Sequence, residues 1–176
     1  MQQLTTLQVD ALKEISNIGA GHAATALSRL LDDTIQLEPP KAELLQFAEL
    51  EERVGAKKDF AVLHVHVLGD VPGRLLVMFD HRNTLQFAAD AKLRMAAAIV
   101  ASSYIDALGE LTRMKMSASR PSYTYGSLHE TFEAGDAADV FFVESTFLDR
   151  GGKIYGHVIF VPDTGSLQPL LAAFGI

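Results

Sequence analysis

The chain has 176 residues, a hydrophobic content of 48%, a charged content of 21% and a formal net charge of −7. Its length and composition suit one globular domain, and its acidic balance disfavours nucleic acid or an anionic membrane surface as a general partner, because both require clustered cations. The absence of cysteine excludes a disulfide framework, a thiolate zinc site and a cysteine nucleophile.

The sequence gives no sign of export or of membrane insertion. Met1 is followed by polar residues rather than by the apolar core of a signal peptide. The longest apolar runs, such as AAAIVA, are far shorter than the roughly 20 residues that span a bilayer. We therefore expect a cytoplasmic protein that does not insert into a membrane.

The first predicted element is a long amphipathic helix from Thr5 to Leu31. Asp10, Glu14 and Asn17 are spaced i, i+4, i+7, so they fall within roughly 60° of arc on an α-helix. The opposite side carries apolar residues and one glycine, namely Val9, Leu12, Gly19, Ala23, Leu27 and Leu30. The helix is therefore predicted to bury one face and to hold two acids and an amide out toward solvent.

The first half continues with a hairpin and a short helix. Pro39–Pro40 predicts an extended turn, and residues 41–51 remain ambiguous. Alternating apolar and polar residues predict a strand from Phe60 to Leu68, which the turn GDVPG joins to a second strand from Arg74 to Phe79. A short helix is predicted from Asn83 to Ala91.

The same order of elements follows in the second half. A second long helix is predicted from Leu93 to about Met116, and the polar segment SASRPSYTYGS after it is interpreted as a surface loop. A helical turn is predicted near Leu128 to Phe132. The strands Val140–Leu148 and Lys153–Val161 are predicted to form a second hairpin, and a short helix over SLQPLLAAF ends the chain.

The two halves can be aligned with each other. Residues 73–80 correspond to residues 156–163, a shift of 83 residues. The pair Asp10-x3-Glu14 matches Asp106-x3-Glu110, a shift of 96. The different shifts imply insertions between the elements.

This repetition predicts an α/β fold of the α+β type: a duplicated α-β-β-α unit with pseudo-twofold symmetry and a mainly antiparallel central sheet covered by helices. Half of the chain, roughly 80 residues, would have a marginal core alone. We therefore expect one cooperative domain over residues 1–176, with internal repeats at about 1–92 and 93–176.

The first helix carries a resemblance to a known family. The segment DALKEISNIGAGHAATALS resembles the CheC-type phosphatases of bacterial chemotaxis, the group of CheC, CheX and FliY. The family pattern is Asp or Ser, three residues, Glu, two residues, Asn, about twenty-two residues, and Pro. Here it reads Asp10-x3-Glu14-x2-Asn17-x22-Pro40, and the duplicated architecture extends the resemblance over the whole chain.

The resemblance implies hydrolysis of the aspartyl phosphate on the receiver domain of a CheY-like response regulator. Asn17 is then expected to orient the attacking water, and Glu14 to anchor the partner through a lysine. Asp10, Gly21 and Pro40 are expected to support the site or to contact the partner. We expect no cofactor on this chain, and a divalent metal, Mg²⁺, in the partner receiver domain.

The second copy of the motif departs from the family pattern. It reads Asp106-x3-Glu110-x2-Arg113, and Asp136 stands where the counterpart of Pro40 falls in this alignment. An arginine side chain has donors but no acceptor, so it cannot accept a hydrogen bond from water. We therefore expect one working site and one degenerate site.

Two other functions stay open. The fold is similar to that of the middle domain of flagellar switch proteins, so the chain could be a binding module without chemistry. Some family members also bind the receptor deamidase CheD, which makes a regulatory partnership the second alternative. His64 and His66 share one face of a predicted strand, but no third ligand is evident, and a metal site is not predicted there.

Overall fold

The computed structural model describes residues 5–55, 59–80, 91–131, 139–152, 154–163, 165–173 and 175. The helices are α1 (Thr6–Leu31), α2 (Phe47–Val54), α3 (Ala91–Thr112), α4 (Leu128–Thr131) and α5 (Leu167–Ala172). The strands are β1 (Gln36–Leu37), β2 (Lys41–Gln46), β3 (Phe60–Gly69), β4 (Gly73–Asp80), β5 (Met116–Ala118), β6 (Ser122–Gly126), β7 (Asp139–Leu148) and β8 (Ile154–Pro162). Of the helix predicted from Asn83 to Ala91, all but Ala91 lies outside the described residues.

The first long helix begins and ends where the sequence provides partners for its terminal groups. The Thr5 hydroxyl accepts a hydrogen bond from the N–H of Gln8, and the Gln8 side chain accepts one from the N–H of Thr5. At the other end Asp32 adopts a left-handed conformation (φ 53°), and its N–H donates to the Ser28 carbonyl. The predicted helix is confirmed, with Thr5 as its cap.

The described strands all join one antiparallel sheet. They lie in the order β1-β7-β8-β4-β3-β5, with β2 also paired to β7 and β6 also paired to β3. The two predicted hairpins are confirmed as the β3–β4 and β7–β8 pairs. They meet through the β4–β8 pair, so both halves of the chain contribute to a single sheet. The predicted α+β class with an antiparallel central sheet is confirmed.

The sheet separates two hydrophobic cores because side chains alternate between its faces. On one face α1 and α3 pack together, and the largest buried side chains of that core are Leu12, Leu27, Leu63, Leu75, Phe79, Tyr104, Phe147 and Phe160. The other face carries a smaller core beneath α2 and α4, with Phe47, Leu50, Phe60, Met78, Leu128, Phe142 and Ile159. One side of α1 therefore packs in the larger core, and the other side of the helix faces away from the sheet.

The central strand pair has the predicted pseudo-twofold symmetry at the level of single residues. Leu76 pairs with Ile159, and these two residues are also each other's counterparts under the shift of 83, so the β4–β8 ladder maps onto itself. An added Cβ at either Gly73 or its counterpart Gly156 would collide with a carbonyl oxygen of the opposite strand. Both glycines are therefore required by the same close backbone approach.

Each edge of the sheet carries the same interruption. Residues 38–40 separate β1 from β2 but stand opposite only two residues of β7, and residues 119–121 stand opposite two residues of β3 in the same way. Both segments hold a one-residue bulge, and both end in a proline, Pro40 or Pro121, that has no N–H for a ladder. The two bulges correspond with a shift of 81 residues.

The short helices that follow the edge strands agree with this register. The Glu49 carboxylate accepts a hydrogen bond from the N–H of Gln46 at the start of α2, at 2.9 Å. The Glu130 carboxylate accepts one from the N–H of Ser127 at the start of α4, at 3.0 Å. The second pair follows the first by 81 residues, so the two halves share their capping groups as well as their bulges.

Two predictions about the second half are wrong. The helix predicted to reach Met116 ends at Thr112, because Arg113 adopts a left-handed conformation (φ 57°). The segment interpreted as a loop forms β5 and β6, which include Tyr123 and Tyr125. These strands lie at the edge of the sheet and are mostly exposed, so their sequence lacks the apolar alternation that marks a strand with one buried face.

Candidate functional site

The acids and the amide of the predicted stripe lie on the outer side of α1. The side chains of Asp10, Glu14 and Asn17 are all exposed, and the inward-facing residues Leu12, Ala23 and Leu27 are buried. Within the part of the chain that the structure describes, no hydrogen bond or ion pair engages the Glu14 or Asn17 side chain. Both side chains are therefore accessible to a partner.

A buried cluster of hydroxyl groups fixes α1 beneath this stripe. The Ser16 hydroxyl lies 3.0 Å from the Tyr104 hydroxyl of α3 and 3.0 Å from the Ser145 hydroxyl of β7. Burial raises the pKa of the Tyr104 phenol to about 12, against the opposing effect of the hydrogen bond with Ser16. Because Ser16 precedes Asn17, these bonds set where the amide projects. This cluster is not predictable from sequence, since small polar residues on an apolar face carry no periodic signal.

A groove opens between α1 and the bulge before β2. Its volume is about 530 Å³. The residues that line it are Asp10, Lys13, Glu14, Asn17, Leu37, Glu38, Pro39 and Pro40. The structure thus brings Pro40 to the same groove as Asn17, although the sequence separates them by 22 residues. Lys13, Leu37, Glu38 and Pro39 were not among the predicted site residues.

The wall opposite α1 is held in place by the bulge. The N–H of Glu38 donates a hydrogen bond to the carbonyl of Thr146 on β7, at 3.0 Å. The next two residues, Pro39 and Pro40, have φ fixed near −65° by their rings and cannot donate to a strand ladder. The segment therefore leaves the sheet at a defined point and stands as a stiff wall facing the stripe.

The groove has a net negative charge. Three carboxylates, those of Asp10, Glu14 and Glu38, line it together with one ammonium group, that of Lys13, which leaves a net charge of −2. A surface of this sign attracts a partner that presents lysine or arginine. The charge of the groove therefore suits the anchoring role expected of Glu14.

The two glycines of α1 have different surroundings. An added Cβ at Gly19 would lie 3.1 Å from the Tyr104 ring, whereas an added Cβ at Gly21 would meet no described atom within 4 Å. Gly19 faces the interior, as predicted, and Gly21 lies one turn beyond Asn17 on the outer side. Gly21 is not among the residues that line the groove, and its expected contact with a partner stays a prediction.

The sheet register places the second copy of the motif at residues other than those predicted. The bulges, the caps and the C-terminal ends of α1 and α3 all follow the shift of 81, so the counterparts of Glu14 and Asn17 are Met95 and Ala98. The counterpart of Pro40 is Pro121, not Asp136. The earlier alignment was wrong because Asp-x3-Glu is a short pattern that recurs by chance on an exposed helix face.

Asp106, Glu110 and Arg113, the residues of the predicted degenerate site, are all exposed, and Arg113 lies beyond the end of α3. The counterpart positions near Met95 carry two arginines, Arg94 and Arg120, and no carboxylate. Their residues are Ala91, Arg94, Met95, Ala98, Ala118, Ser119, Arg120 and Pro121. The second copy has therefore lost both the acid and the amide and has reversed its charge.

The described residues include no group of three or more His, Cys, Asp or Glu side chains that could hold a metal ion. His64 and His66 lie on one face of β3, as predicted, and His64 Nε2 lies 2.7 Å from the Thr124 hydroxyl. No helix in the described ranges is both long enough and apolar enough to cross a bilayer.

Comparison with known proteins finds similarity to one family. A model of the CheC-like family matches residues 7–44, a stretch that holds both walls of the groove. The chain is 29% identical to the CheY-P phosphatase CheC of Bacillus subtilis (strain 168) over 198 aligned residues, which cover 96% of this chain and 94% of that protein. The predicted resemblance to the CheC-type family is confirmed.

Solved structures show the same fold. The crystal structure of Thermotoga maritima FliY matches with a TM-score of 0.76 and 18% identity, over 99% of this chain and 98% of that chain. The complex of CheX with CheY, BeF₃ and Mg²⁺ from Borrelia burgdorferi matches with a TM-score of 0.55 and 17% identity, over 82% of this chain and 95% of that chain. At these identities the likeness concerns the fold.

Proposed function

We propose that this protein hydrolyses the aspartyl phosphate of a CheY-like receiver domain. The observation that carries the proposal is the exposure of Glu14 and Asn17 together on one wall of a negatively charged groove, opposite Pro39 and Pro40. The likeness to a CheY-P phosphatase and to a CheX that forms a complex with CheY supports the same class of partner.

Asn17 is the proposed catalytic residue. Its amide oxygen accepts a hydrogen bond from a water molecule and holds the water oxygen in line with phosphorus, as a glutamine does in GTPases. The new bond forms between that oxygen and phosphorus while the bond to the aspartyl oxygen breaks. The products are inorganic phosphate, which keeps the remaining water proton or releases it to solvent, and the free carboxylate of the receiver. No group of this chain becomes phosphorylated.

Glu14 is the proposed anchor for a lysine of the receiver. Three residues, a rise of about 4.5 Å along the helix axis, separate it from Asn17. A carboxylate–ammonium contact at this distance therefore fixes the amide beside the phosphorylated aspartate. The divalent metal that neutralises charge on the phosphoryl group is expected to belong to the receiver.

Asn17→Ala is the direct test. Because the side chain is exposed, we expect an unchanged thermal unfolding midpoint and a fall of about 10²-fold in the rate of phosphate release from an acetyl-phosphate-loaded receiver. His22→Ala, an exposed change on the same helix outside the groove, is the matched control and should keep the wild-type rate. Wild-type hydrolysis by Asn17→Ala would refute the assigned role.

A binding module without chemistry is the second candidate. One observation favours it. The surface around Met95 and Ala98 has the same bulge and proline as the groove on α1 but neither the acid nor the amide, so this fold forms without the Glu–Asn pair. Measuring receiver binding and phosphate release with the same preparation separates the candidates. Binding that leaves receiver dephosphorylation at its spontaneous rate supports the module.

The remaining expectations rest on the resemblance. A partnership with CheD and a location in the cytoplasm stay predictions. A pull-down of CheD from the source organism tests the partnership, and an assay across its receiver domains identifies the substrate.

A further inference from the structure

Lys13 is a residue of the groove on α1 that the family pattern does not name. It lines the groove together with Glu14 and Asn17. It precedes Asn17 by four residues, so on an α-helix the two side chains lie about 40° apart in arc, and Glu14 lies about 60° from Asn17 on the other side. The amide of Asn17 therefore lies between an ammonium group and a carboxylate.

The charge of Lys13 is available to a partner. Three carboxylates line the same groove, those of Asp10, Glu14 and Glu38. Within the described ranges, however, no ion pair or hydrogen bond engages the Lys13 side chain. Lys13 is also half-buried, so fewer side-chain conformations are open to it than to a fully exposed lysine. The ammonium group is thus held near the groove without a partner for its charge.

Hydrogen-bond donors are scarce in this groove. Of the side chains that line it in the described part of the chain, only the Lys13 ammonium and the Asn17 amide carry donors, because the others are carboxylates, prolines and a leucine. Without Lys13 the lining would have a net charge of −3. A phosphoryl group itself carries roughly −1.5 to −2 at neutral pH, and a purely acidic groove would repel it.

We propose that the Lys13 ammonium binds a phosphoryl oxygen of the receiver's aspartyl phosphate while Asn17 holds the attacking water. The proposal rests on the activity proposed for the groove and assigns it a second catalytic residue. Negative charge spreads over the phosphoryl oxygens as the bond from phosphorus to the aspartyl oxygen breaks, and a positioned cation stabilises that charge. Lys13 stays protonated throughout, so the fate of the water protons and of the leaving carboxylate is unchanged.

The two opposite charges beside Asn17 also give the groove a polarity. Glu14 suits a lysine of the receiver on one side of the amide, and Lys13 suits the phosphoryl group on the other. A receiver docked in the reverse orientation would place its lysine against Lys13 and its phosphoryl group against Glu14. Both contacts would then join like charges, which disfavours that orientation.

A binding measurement separates a phosphoryl contact from any other contact made by Lys13. The receiver is titrated with the full chain twice, once with Mg²⁺ alone and once with Mg²⁺ and beryllofluoride, which imitates the phosphoryl group without being hydrolysed. Lys13→Gln should weaken binding of the beryllofluoride-loaded receiver about fivefold and leave binding of the unloaded receiver unchanged. Equal weakening in both titrations, or no weakening in either, overturns the proposal.

Hydrolysis provides the second test. Because the ammonium group stabilises charge in the transition state, Lys13→Gln should lower kcat for phosphate release about tenfold. Arg29→Gln, the matched control, removes an equal charge from an exposed position of α1 outside the groove and should keep the wild-type kcat. If Lys13→Gln lowers the thermal unfolding midpoint, Lys13→Met, which keeps the aliphatic stem, replaces it in both tests.

The two tests also distinguish failure of this inference from failure of the proposed function. A wild-type kcat in Lys13→Gln overturns the role of Lys13, although hydrolysis by the wild-type chain still stands. If the wild-type chain does not accelerate phosphate release, the proposed function fails. The comparison of loaded and unloaded receiver then decides whether Lys13 contacts the phosphoryl group.

Discussion

At the scale of single residues, the position of Asn17 depends on neighbours that never reach the solvent. Ser16, Tyr104 and Ser145 tie α1 to α3 and to β7 through two hydrogen bonds of 3.0 Å. The groove adds the carboxylate of Glu38, which the family pattern does not contain, to those of Asp10 and Glu14. The groove is therefore more acidic than the motif alone predicts.

Glu38 should contribute to partner binding without taking part in the chemistry. Glu38→Lys changes the net charge of the groove from −2 to 0, so we expect KM for the phosphorylated receiver to rise about tenfold with little change in kcat, and the effect to shrink at high salt. Glu52→Lys, an exposed charge reversal on α2, is the matched control. A fall in kcat with constant KM would contradict this role.

The two glycines of α1 should respond in opposite directions to alanine. Gly21→Ala adds a methyl group into open space and improves helix propensity, so we expect up to about 1 kcal/mol of added stability. Gly19→Ala places the same group 3.1 Å from the Tyr104 ring, and the strain should cancel or exceed that gain. Urea unfolding measures both, and equal stabilisation of the two variants would show that Tyr104 moves freely.

At the scale of elements, the match between the halves determines what counts as the second site. The central strands and the shift of 83 are predictable from sequence because β4 and β8 are buried and keep their apolar pattern. The match between the long helices is not, because their exposed faces are free to vary and Pro121 lies in a segment whose composition is typical of a loop. The shift of 81 between the halves follows from the bulges in the strand register and from the capping hydrogen bonds, and both are visible only in the folded structure.

The register can be tested by rebuilding the motif on α3. In an Asn17→Ala background, Met95→Glu with Ala98→Asn should restore a measurable part of the phosphate release, limited by the positive charge of Arg94 and Arg120. Arg113→Asn in the same background completes the motif in the rejected register and should restore nothing. Recovery by Arg113→Asn alone would favour the rejected register.

At the scale of the whole molecule, one sheet joins the halves, as the duplicated pattern predicts, and it separates two hydrophobic cores. A single cooperative unfolding transition stays a prediction. The face of the sheet beneath α2 and α4 also contains a buried charged pair that no sequence pattern revealed. The Glu144 carboxylate is buried beside His157, and its Oε2 has no hydrogen-bond partner among the described residues. Sequence alone could not predict this pair, because its two members come from different strands and carry no motif.

The stability of the fold at low pH should depend on Glu144. Burial alone would raise the pKa of its carboxyl, but the hydrogen bond and charge of His157, helped by Lys41 and Arg53, hold the pKa below its ordinary value. Such a group stabilises the fold above its unfolded pKa of about 4.3, and that contribution is lost as the pH falls through the lower, folded pKa. Glu144→Gln lacks this contribution.

We therefore expect the free energy of unfolding to fall more steeply between about pH 5 and pH 3 in the wild type than in Glu144→Gln, as measured by urea unfolding. At pH 7, His157→Leu should cost about 3–5 kcal/mol, because it leaves the carboxylate buried without its partner. If the free energy of unfolding changes with pH in the same way in the wild type and in Glu144→Gln, the Glu144–His157 pair is not the cause of the loss of stability at low pH.

The β4–β8 ladder also bears on how such a molecule could originate. Because Leu76 and Ile159 are both partners and counterparts, the edge of β4 that pairs with β8 is complementary to the same edge of a second β4. A polypeptide of half this length could then associate with its own copy through an isologous contact, in which the same patch serves both subunits. Fusion of two gene copies would place both halves in one chain, after which their sequences can diverge. One long helix then keeps the acid and the amide, and the surface of the other acquires arginines.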